Sequence, residues 1–111
     1  MATISNIFID QGANFATTVT INDSDGSALD LTSYTALAQI RKTYESTSAV
    51  SFATTIESPT TLGQITISLT STQTAALEYG RYVYDLIITD SSNNITRVVE
   101  GIATINPSVS R

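Results

Sequence analysis

The sequence contains no cysteine, no histidine and no tryptophan, and it has only one lysine. Without cysteine the chain has no disulfide framework, thiol nucleophile or thiolate metal site. Without histidine it also lacks the side chain that most often acts as a general base at neutral pH. Catalysis would therefore depend on carboxylates, most of which fall in predicted turns. We predict a domain that is not an enzyme and that needs no cofactor.

Charged side chains are also scarce, at 14% of the residues, and the ten acidic residues outnumber the five basic ones to give a net charge of -5. The phosphates of nucleic acids and anionic lipid surfaces repel such a chain, so we expect neither a nucleic acid nor a membrane as a partner. No apolar run approaches the roughly 18 residues that span a bilayer, and the N-terminus lacks the features of a signal peptide. These absences predict a soluble protein that is made in the cytoplasm.

Serine and threonine supply most of the polarity and make up nearly a third of the chain. Threonine is branched at Cβ and suits the pleated surface of a β-sheet. Apolar and polar residues alternate with a period of two in several segments, which we predict to be short strands. These segments are 4–9, 14–21, 36–41, 50–56, 65–69, 81–88 and 95–105. Residues 70–77 begin with a good N-cap and predict one or two helical turns.

Turn residues separate the predicted strands at short intervals, and no long helical crossover lies between them. This spacing is typical of an all-β sandwich or barrel and not of a parallel sheet. A chain of 111 residues is long enough for one hydrophobic core. We therefore predict a single domain, 1–111, with a short flexible tail at 106–111.

One local motif favours the sandwich over the barrel. Glu78, Gly80 and Tyr82 have the acidic-x-Gly-x-Tyr spacing seen at the start of the sixth strand of immunoglobulin-like domains, where the tyrosine hydroxyl bonds to nearby backbone. Tyr84 then stands where antibody domains place a core cysteine, and its ring is expected to fill the space between the sheets. We predict an immunoglobulin-like antiparallel β-sandwich of about seven strands, with structural roles for Gly80, Tyr82 and Tyr84.

Three regions are candidates for protein interaction. Ile7, Phe8 and Ile9 form a continuous apolar run, so both faces of that strand are expected to be covered. The cover is either the second sheet of the same domain or a neighbouring subunit. Tyr44 lies in a polar loop at 42–49 and offers a large apolar ring with a polar tip. Pro107 and Val109 lie in the predicted tail.

A weak metal candidate lies at Asp23, Asp25 and Asp30. These residues resemble a calcium loop only superficially, because the glycine and glutamate positions of an EF-hand are missing and no helices flank them. An ordinary turn at Asp25-Gly26 explains the same residues. No metal is therefore predicted, and the three acids are kept as a surface-loop alternative.

Several short motifs follow one another along the chain. They are Gln11-Gly12-x-x-Phe15, Asp25-Gly26 followed by Leu29-Asp30-Leu31-Thr32-x-Tyr34, Gln39-Ile40-Arg41, Gly63-x-Ile65-Thr66, Thr74-Ala75-Ala76-Leu77, Gly80-x-Tyr82-Val83-Tyr84-Asp85-Leu86 and Arg97-Val98-Val99-Glu100-Gly101. In this order they resemble a series found in virion proteins of tailed bacteriophages, including the immunoglobulin-like N-terminal domain of baseplate upper proteins. The resemblance covers nearly the whole chain.

The resemblance implies a bacteriophage structural protein that is located in the virion after synthesis in the host bacterial cytoplasm. It implies other virion proteins as partners and many copies in each particle. Capsid decoration or cement, the neck, the tail and a baseplate adaptor all remain open as positions. The alternative is an adhesin domain that binds a host surface or a glycan through its loops.

Overall fold

The structure is a computed structural model, and it describes residues 3–23, 26–47 and 49–109. In chain order its elements are β1 (Thr3–Ile4), β2 (Ile7–Asp10), β3 (Phe15–Thr20), β4 (Thr35–Arg41), β5 (Val50–Ser51), β6 (Ala53–Ile56), a single turn of 3-10 helix (Thr60–Leu62), β7 (Gln64–Leu69), the helix α1 (Ser71–Ala75), β8 (Gly80–Thr89) and β9 (Ile95–Asn106). The strands form two facing sheets, and the predicted all-β sandwich is confirmed.

The larger sheet has six strands in the order β1-β9-β8-β4-β5, with β2 also paired to β9. Its centre is the long antiparallel pair of β8 and β9. Both β1 and β2 run parallel to β9, which departs from the purely antiparallel prediction. The N-terminal and C-terminal strands of the domain are therefore neighbours along one edge of the larger sheet.

The smaller sheet has three antiparallel strands in the order β3-β7-β6. The central strand β7 alternates strictly between fully buried and half-buried residues. Its partners β3 and β6 lie at the two edges, and their inward side chains are only half-buried. Period-two alternation in the sequence arises because successive side chains of each strand point to opposite faces of the sheet.

The hydrophobic core fills the space between the two sheets. The smaller sheet contributes Ile65 and Ile67, which are 0% and 1% exposed, and the larger sheet contributes Leu86 and Ile105, at 0% and 1%. Burying one such side chain stabilises the fold by about 1.5–3 kcal/mol. These four side chains lie on β7, β8 and β9, three of the strands that the alternation in the sequence predicted.

Residues 50–56, predicted as one strand, are divided between the two sheets. β5 pairs with β4 in the larger sheet, whereas β6 pairs with β7 in the smaller one. Phe52 lies at the crossing point, where its backbone N–H donates to the Ala38 carbonyl at 2.9 Å. Its ring is 4% exposed and packs between Phe15 and Tyr84. The alternation continues through the crossing because Phe52 points into the core shared by both sheets.

β9 contains a bulge, but Gly101 does not form it. The register shift lies between Leu86 and Ile87 on the facing strand, so Val98 is the extra residue. A Cβ on Gly101 would lie 2.1 Å from the Ser5 carbonyl oxygen. Glycine is required here because the link between β1 and β2 crosses directly over β9.

Helix α1 has the predicted N-cap. The Thr70 side chain accepts a hydrogen bond from the Gln73 backbone N–H, and the Gln73 side chain accepts one from the Thr70 N–H. This reciprocal capping box satisfies two backbone donors at the start of the helix. In the described ranges of the chain, no helix has both the length and the apolar character needed to cross a membrane.

Candidate protein-binding surface

The outward side of the larger sheet carries more apolar side chains than an ordinary solvent-facing sheet. We call this side the outer face and define it by its apolar residues Ile4, Phe8, Leu37, Val83, Ile87 and Ile102. Phe8 is 67% exposed, Leu37 46% and Ile102 41%. The pairs Val83–Ile102 and Leu37–Ile87 stand directly opposite each other on neighbouring strands. Exposed apolar residues that gather on one face in this way mark sites of interaction with another protein.

A row of charged side chains crosses the middle of the outer face. Asp85 and Glu100 face each other on β8 and β9, and like charges in this position repel. Arg97 offsets the repulsion, with its Nε 3.3 Å from an oxygen of Asp85 and its Nη1 3.7 Å from one of Glu100. Arg81, which also lies on the outward side of β8, makes no ion pair with any described residue. Both carboxylates therefore lie within ion-pair distance of the same arginine.

Tyr44 lies beside the outer face at the rim of a shallow concavity of about 300 Å³. The ring is 76% exposed. Its loop is fastened to β4 by Arg41, whose Nη1 donates to the Ser46 carbonyl at 2.6 Å. The Thr43 backbone N–H also donates to the Ser46 hydroxyl. Tyr44 is therefore an exposed aromatic side chain on a hydrogen-bonded loop.

The apolar run at the N-terminus is divided by the pleat of β2. Ile7 and Ile9 are 9% and 0% exposed and belong to the core of this domain. Phe8 points the opposite way, to the outer face, opposite Thr104 of β9. The two alternatives left open by the sequence therefore apply to different residues. The domain itself covers Ile7 and Ile9, and Phe8 alone of the three is available to a partner.

The C-terminal candidates lie just beyond β9, whose last residue is Asn106. Pro107 is exposed, and Val109 is 96% exposed. Between them, the Ser108 backbone N–H donates to the side chain of Gln11 at 3.3 Å. This contact places Pro107 and Val109 near the link between β2 and β3. The last two residues of the predicted tail, 110–111, lie outside the described residues.

The predicted bond from a tyrosine hydroxyl to nearby backbone, called a tyrosine corner, is present, but Tyr84 makes it and not Tyr82. The Tyr84 hydroxyl donates to the carbonyl oxygen of Ser5, whereas Tyr82 packs under the Lys42 ammonium, 4.8 Å from its ring centroid. Burial raises the pKa of Tyr84 above its ordinary value, and the hydrogen bond to Ser5 partly offsets that shift. Gly80 begins β8 with a φ of +133°, which residues with a Cβ rarely adopt.

The metal candidate falls partly outside the described residues, because Asp25 is not among them. Asp30 uses one carboxylate oxygen to accept hydrogen bonds from the Thr32 side chain and backbone, at 2.6 and 3.0 Å. These bonds lower the pKa of the Asp30 carboxyl. The described part of the chain contains no group of three or more acidic, histidine or cysteine side chains able to hold a metal ion. The described geometry of Asp30 is that of an Asp-initiated turn.

Sequence reasoning missed most of the outer face. Val83 and Ile87 are apolar on the outward side of β8, although Tyr82, Tyr84, Leu86 and Ile88 already fill its inward side. A strand that is apolar on both sides predicts that both of its faces are covered. This signal in β8 was available, but the pairing that adds Leu37, Ile102 and Phe8 to it depends on strand order.

Comparison with known proteins assigns no family to this chain. No protein-family model matches the chain, and no curated protein matches it. Among solved structures, the chain is similar to the Listeria monocytogenes internalin-like protein lmo2027, with a TM-score of 0.48 and 17% sequence identity. The similarity covers 95% of this chain and 28% of that protein, so the chain spans under a third of its length.

Proposed function

We propose that this chain is a non-catalytic structural module of a bacteriophage virion and that it binds a neighbouring virion protein through its outer face. The phage assignment is supported by the sequence resemblance. The binding assignment is supported by one observation, the exposure of Phe8 beside Ile102 on a sheet whose core is already complete. An exposed phenylalanine that contributes nothing to its own core is stabilised when a partner removes it from water.

The absence of catalysis is supported by the chemistry of the outer face. Asp85 and Glu100 are both bonded to Arg97, and the chain has no histidine or cysteine to act with them. The arrangement is suited to hydrogen bonding with a polar partner surface at the centre of an apolar interface.

The test compares incorporation of variants into particles made from the genome that encodes the chain. Phe8→Asp places a charge on the outer face without touching the core, and Thr55→Asp is the matched control on the outward side of β6. We expect wild-type chain and the control in purified particles, and at least about tenfold less Phe8→Asp, as a loss of one buried apolar anchor predicts. Urea unfolding checks that both variants are folded.

Two outcomes contradict different parts of the proposal. If mass spectrometry finds no wild-type chain in the particles, the virion assignment is wrong. If Phe8→Asp enters particles as well as Thr55→Asp, the outer face is not the binding surface. The adhesin alternative predicts instead that the isolated domain binds host cells or sugars and that Tyr44→Ser, but not Phe8→Asp, removes this binding.

A further inference from the structure

No strand among the described residues lies beside the outer edge of β3. β3 pairs with β7 on one side only. The N-terminal strands β1 and β2 pair with β9 in the other sheet, so neither covers β3. Among the described residues, none forms a backbone hydrogen bond with this edge. An uncovered edge exposes a row of backbone donors and acceptors to any chain able to pair with it.

Two contacts show which backbone groups of β3 point to the open edge. The Ile21 N–H donates to the Gly63 carbonyl at 2.7 Å, in the direction of β7. Thr18 and Thr66 instead face each other with their hydroxyl oxygens 2.8 Å apart, as in a closely spaced pair without backbone bonds. Backbone groups alternate in direction along a strand, so the N–H and C=O groups of Ala16, Thr18 and Thr20 point to the open edge.

The edge carries none of the features that keep edge strands apart. Residues 15–20 contain no proline, no lysine and no other charge, and the pairing with β7 runs without a bulge. The inward side chains Phe15, Thr17 and Val19 are half-buried, whereas Ile65, Ile67 and Leu69 on the neighbouring strand are at most 2% exposed. A further strand at this edge would therefore bury apolar surface as well as pair backbone groups.

We infer that a second copy of this chain pairs with β3 to form an antiparallel β3–β3′ dimer with its two-fold axis at Thr18. In this register Thr18 faces Thr18 of the other copy and Ala16 faces Thr20, so every edge-facing backbone group has a partner. Each of these facing pairs exchanges two N–H···O bonds. The two small sheets become one continuous sheet.

The second copy is chosen as the occupant because the uncharged β3 edge is a place where two copies of this acidic chain can meet without repulsion. The chain carries a net charge of -5, so two copies repel each other in most orientations. The strands β3, β6 and β7 contain no charged residue at all. Their outward side chains are small and polar, among them Thr18, Thr55 and Thr66. Two copies that meet along β3 bring no like charges together at the contact.

The experiment measures the oligomeric state of the purified chain by sedimentation equilibrium. Thr18→Lys places two ammonium groups opposite each other across the two-fold axis, where like charges repel. Thr55→Lys puts the same charge on the same side of the sheet at the far edge, in β6, and is the matched control. We expect the wild type and Thr55→Lys to form dimers with dissociation constants within about twofold of each other, and Thr18→Lys to dimerise at least about tenfold more weakly.

A second measurement keeps the register testable if a lysine variant folds poorly. The chain has no cysteine, so a single introduced thiol reports one contact only. Facing residues in a bonded antiparallel pair have Cα atoms about 5.5 Å apart, within the range that a disulfide spans. Thr18→Cys should therefore cross-link two copies under oxidation. Ala16→Cys should not, because Ala16 faces Thr20 of the other copy.

Three results would overturn the inference. These are a wild-type chain that stays monomeric at millimolar concentration, a dimer that Thr18→Lys does not weaken, and cross-linking of Ala16→Cys as readily as Thr18→Cys. The β3 edge and the outer face are different surfaces on opposite sheets. Failure of the dimer therefore leaves the proposed virion contact through Phe8 unaffected, and the reverse also holds.

Discussion

At the scale of single residues, the tyrosine corner shows how one hydroxyl joins distant parts of the chain. Ser5 and Asn6 connect β1 to β2 and lie over Gly101. The Ser5 N–H donates to the Glu100 carbonyl at 2.8 Å, and the Asn6 side chain accepts from the Ile102 N–H at 3.0 Å. Tyr84 adds a third bond by donating its hydroxyl to the Ser5 carbonyl from inside the sandwich. The link is thus bonded from two sides.

We expect Tyr84→Phe to lower the free energy of unfolding by about 1 kcal/mol, because the ring stays in the core and one buried hydrogen bond is lost. Tyr82→Phe is the matched control and should change stability by less than about half as much. Its hydroxyl makes no hydrogen bond with a described residue. Urea unfolding followed by circular dichroism measures both. A larger loss of unfolding free energy in Tyr82→Phe than in Tyr84→Phe would mean that Tyr82, and not Tyr84, makes the stabilising hydrogen bond.

The stability difference between wild type and Tyr84→Phe should depend on pH in a definite direction. The pKa of Tyr84 is raised in the folded protein by burial. Its contribution to stability is therefore fully present below the unfolded-state pKa of about 10 and is lost as the pH rises through the folded value. The stability difference between wild type and Tyr84→Phe should shrink above pH 10. A difference that grows with pH would contradict the raised pKa.

At the scale of elements, the short helix α1 serves mainly to hold the link between β2 and β3. Thr74 is 0% exposed. Its hydroxyl donates to the Ala13 carbonyl at 2.8 Å and accepts from the Gly12 N–H at 3.0 Å. The Gln11 side chain donates to the Leu77 carbonyl at 2.8 Å just beyond the helix. A helix of five residues is marginal by itself, so these tertiary contacts explain its persistence.

We expect Thr74→Val to lower the free energy of unfolding by about 2 kcal/mol, because the side-chain volume is kept while two hydrogen bonds are lost, one from the Gly12 N–H and one to the Ala13 carbonyl. Thr74→Ser retains the hydroxyl and removes only a methyl group, so its loss should be about 1 kcal/mol. Thermal and urea unfolding of the two variants test the order. A larger loss in Thr74→Ser than in Thr74→Val would mean that packing of the methyl group, and not hydrogen bonding, holds the link.

At the scale of the whole molecule, the charges are distributed unevenly between the two sheets. The outer face of the larger sheet carries Arg97, Asp85 and Glu100, and the loops hold most of the remaining acids. The strands of the smaller sheet are uncharged. The two proposed contacts therefore differ in character, one being an apolar face with a charged centre and the other an uncharged edge.

The inferred dimer predicts a salt dependence opposite to that of an ion-paired interface. Raising NaCl from about 0.05 M to about 0.5 M shortens the Debye length from roughly 14 Å to roughly 4 Å. Repulsion between two copies of net charge -5 is then screened, while no ion pair at β3 is weakened. The dimer dissociation constant should fall by about twofold or more. Sedimentation equilibrium at the two salt concentrations measures it, and weaker association at high salt would argue for a charged interface.

Much of the fold was predictable, because strand periodicity is a local property of the backbone. The central strands β7 and β8 and the capped helix were predicted close to their observed bounds. The division of 50–56 between two sheets was missed because Phe52 keeps the alternation in register through the crossing. The Tyr84–Ser5 bond was missed because its two residues are 79 positions apart in the chain.

The amino-acid pattern was sufficient for the fold class and for which residues of each strand face inward, since side chains alternate along any strand and apolar ones avoid water. The amino-acid sequence also excludes any reaction that needs a histidine or cysteine side chain of this chain. Strand order lay beyond its reach, because many pairings bury similar apolar area and only the packed whole selects one of them. Because β1 and β2 pair with β9, Phe8 lies on the outer face and the second edge of β3 has no partner strand among the described residues. Both proposed contacts depend on that choice of partner strand.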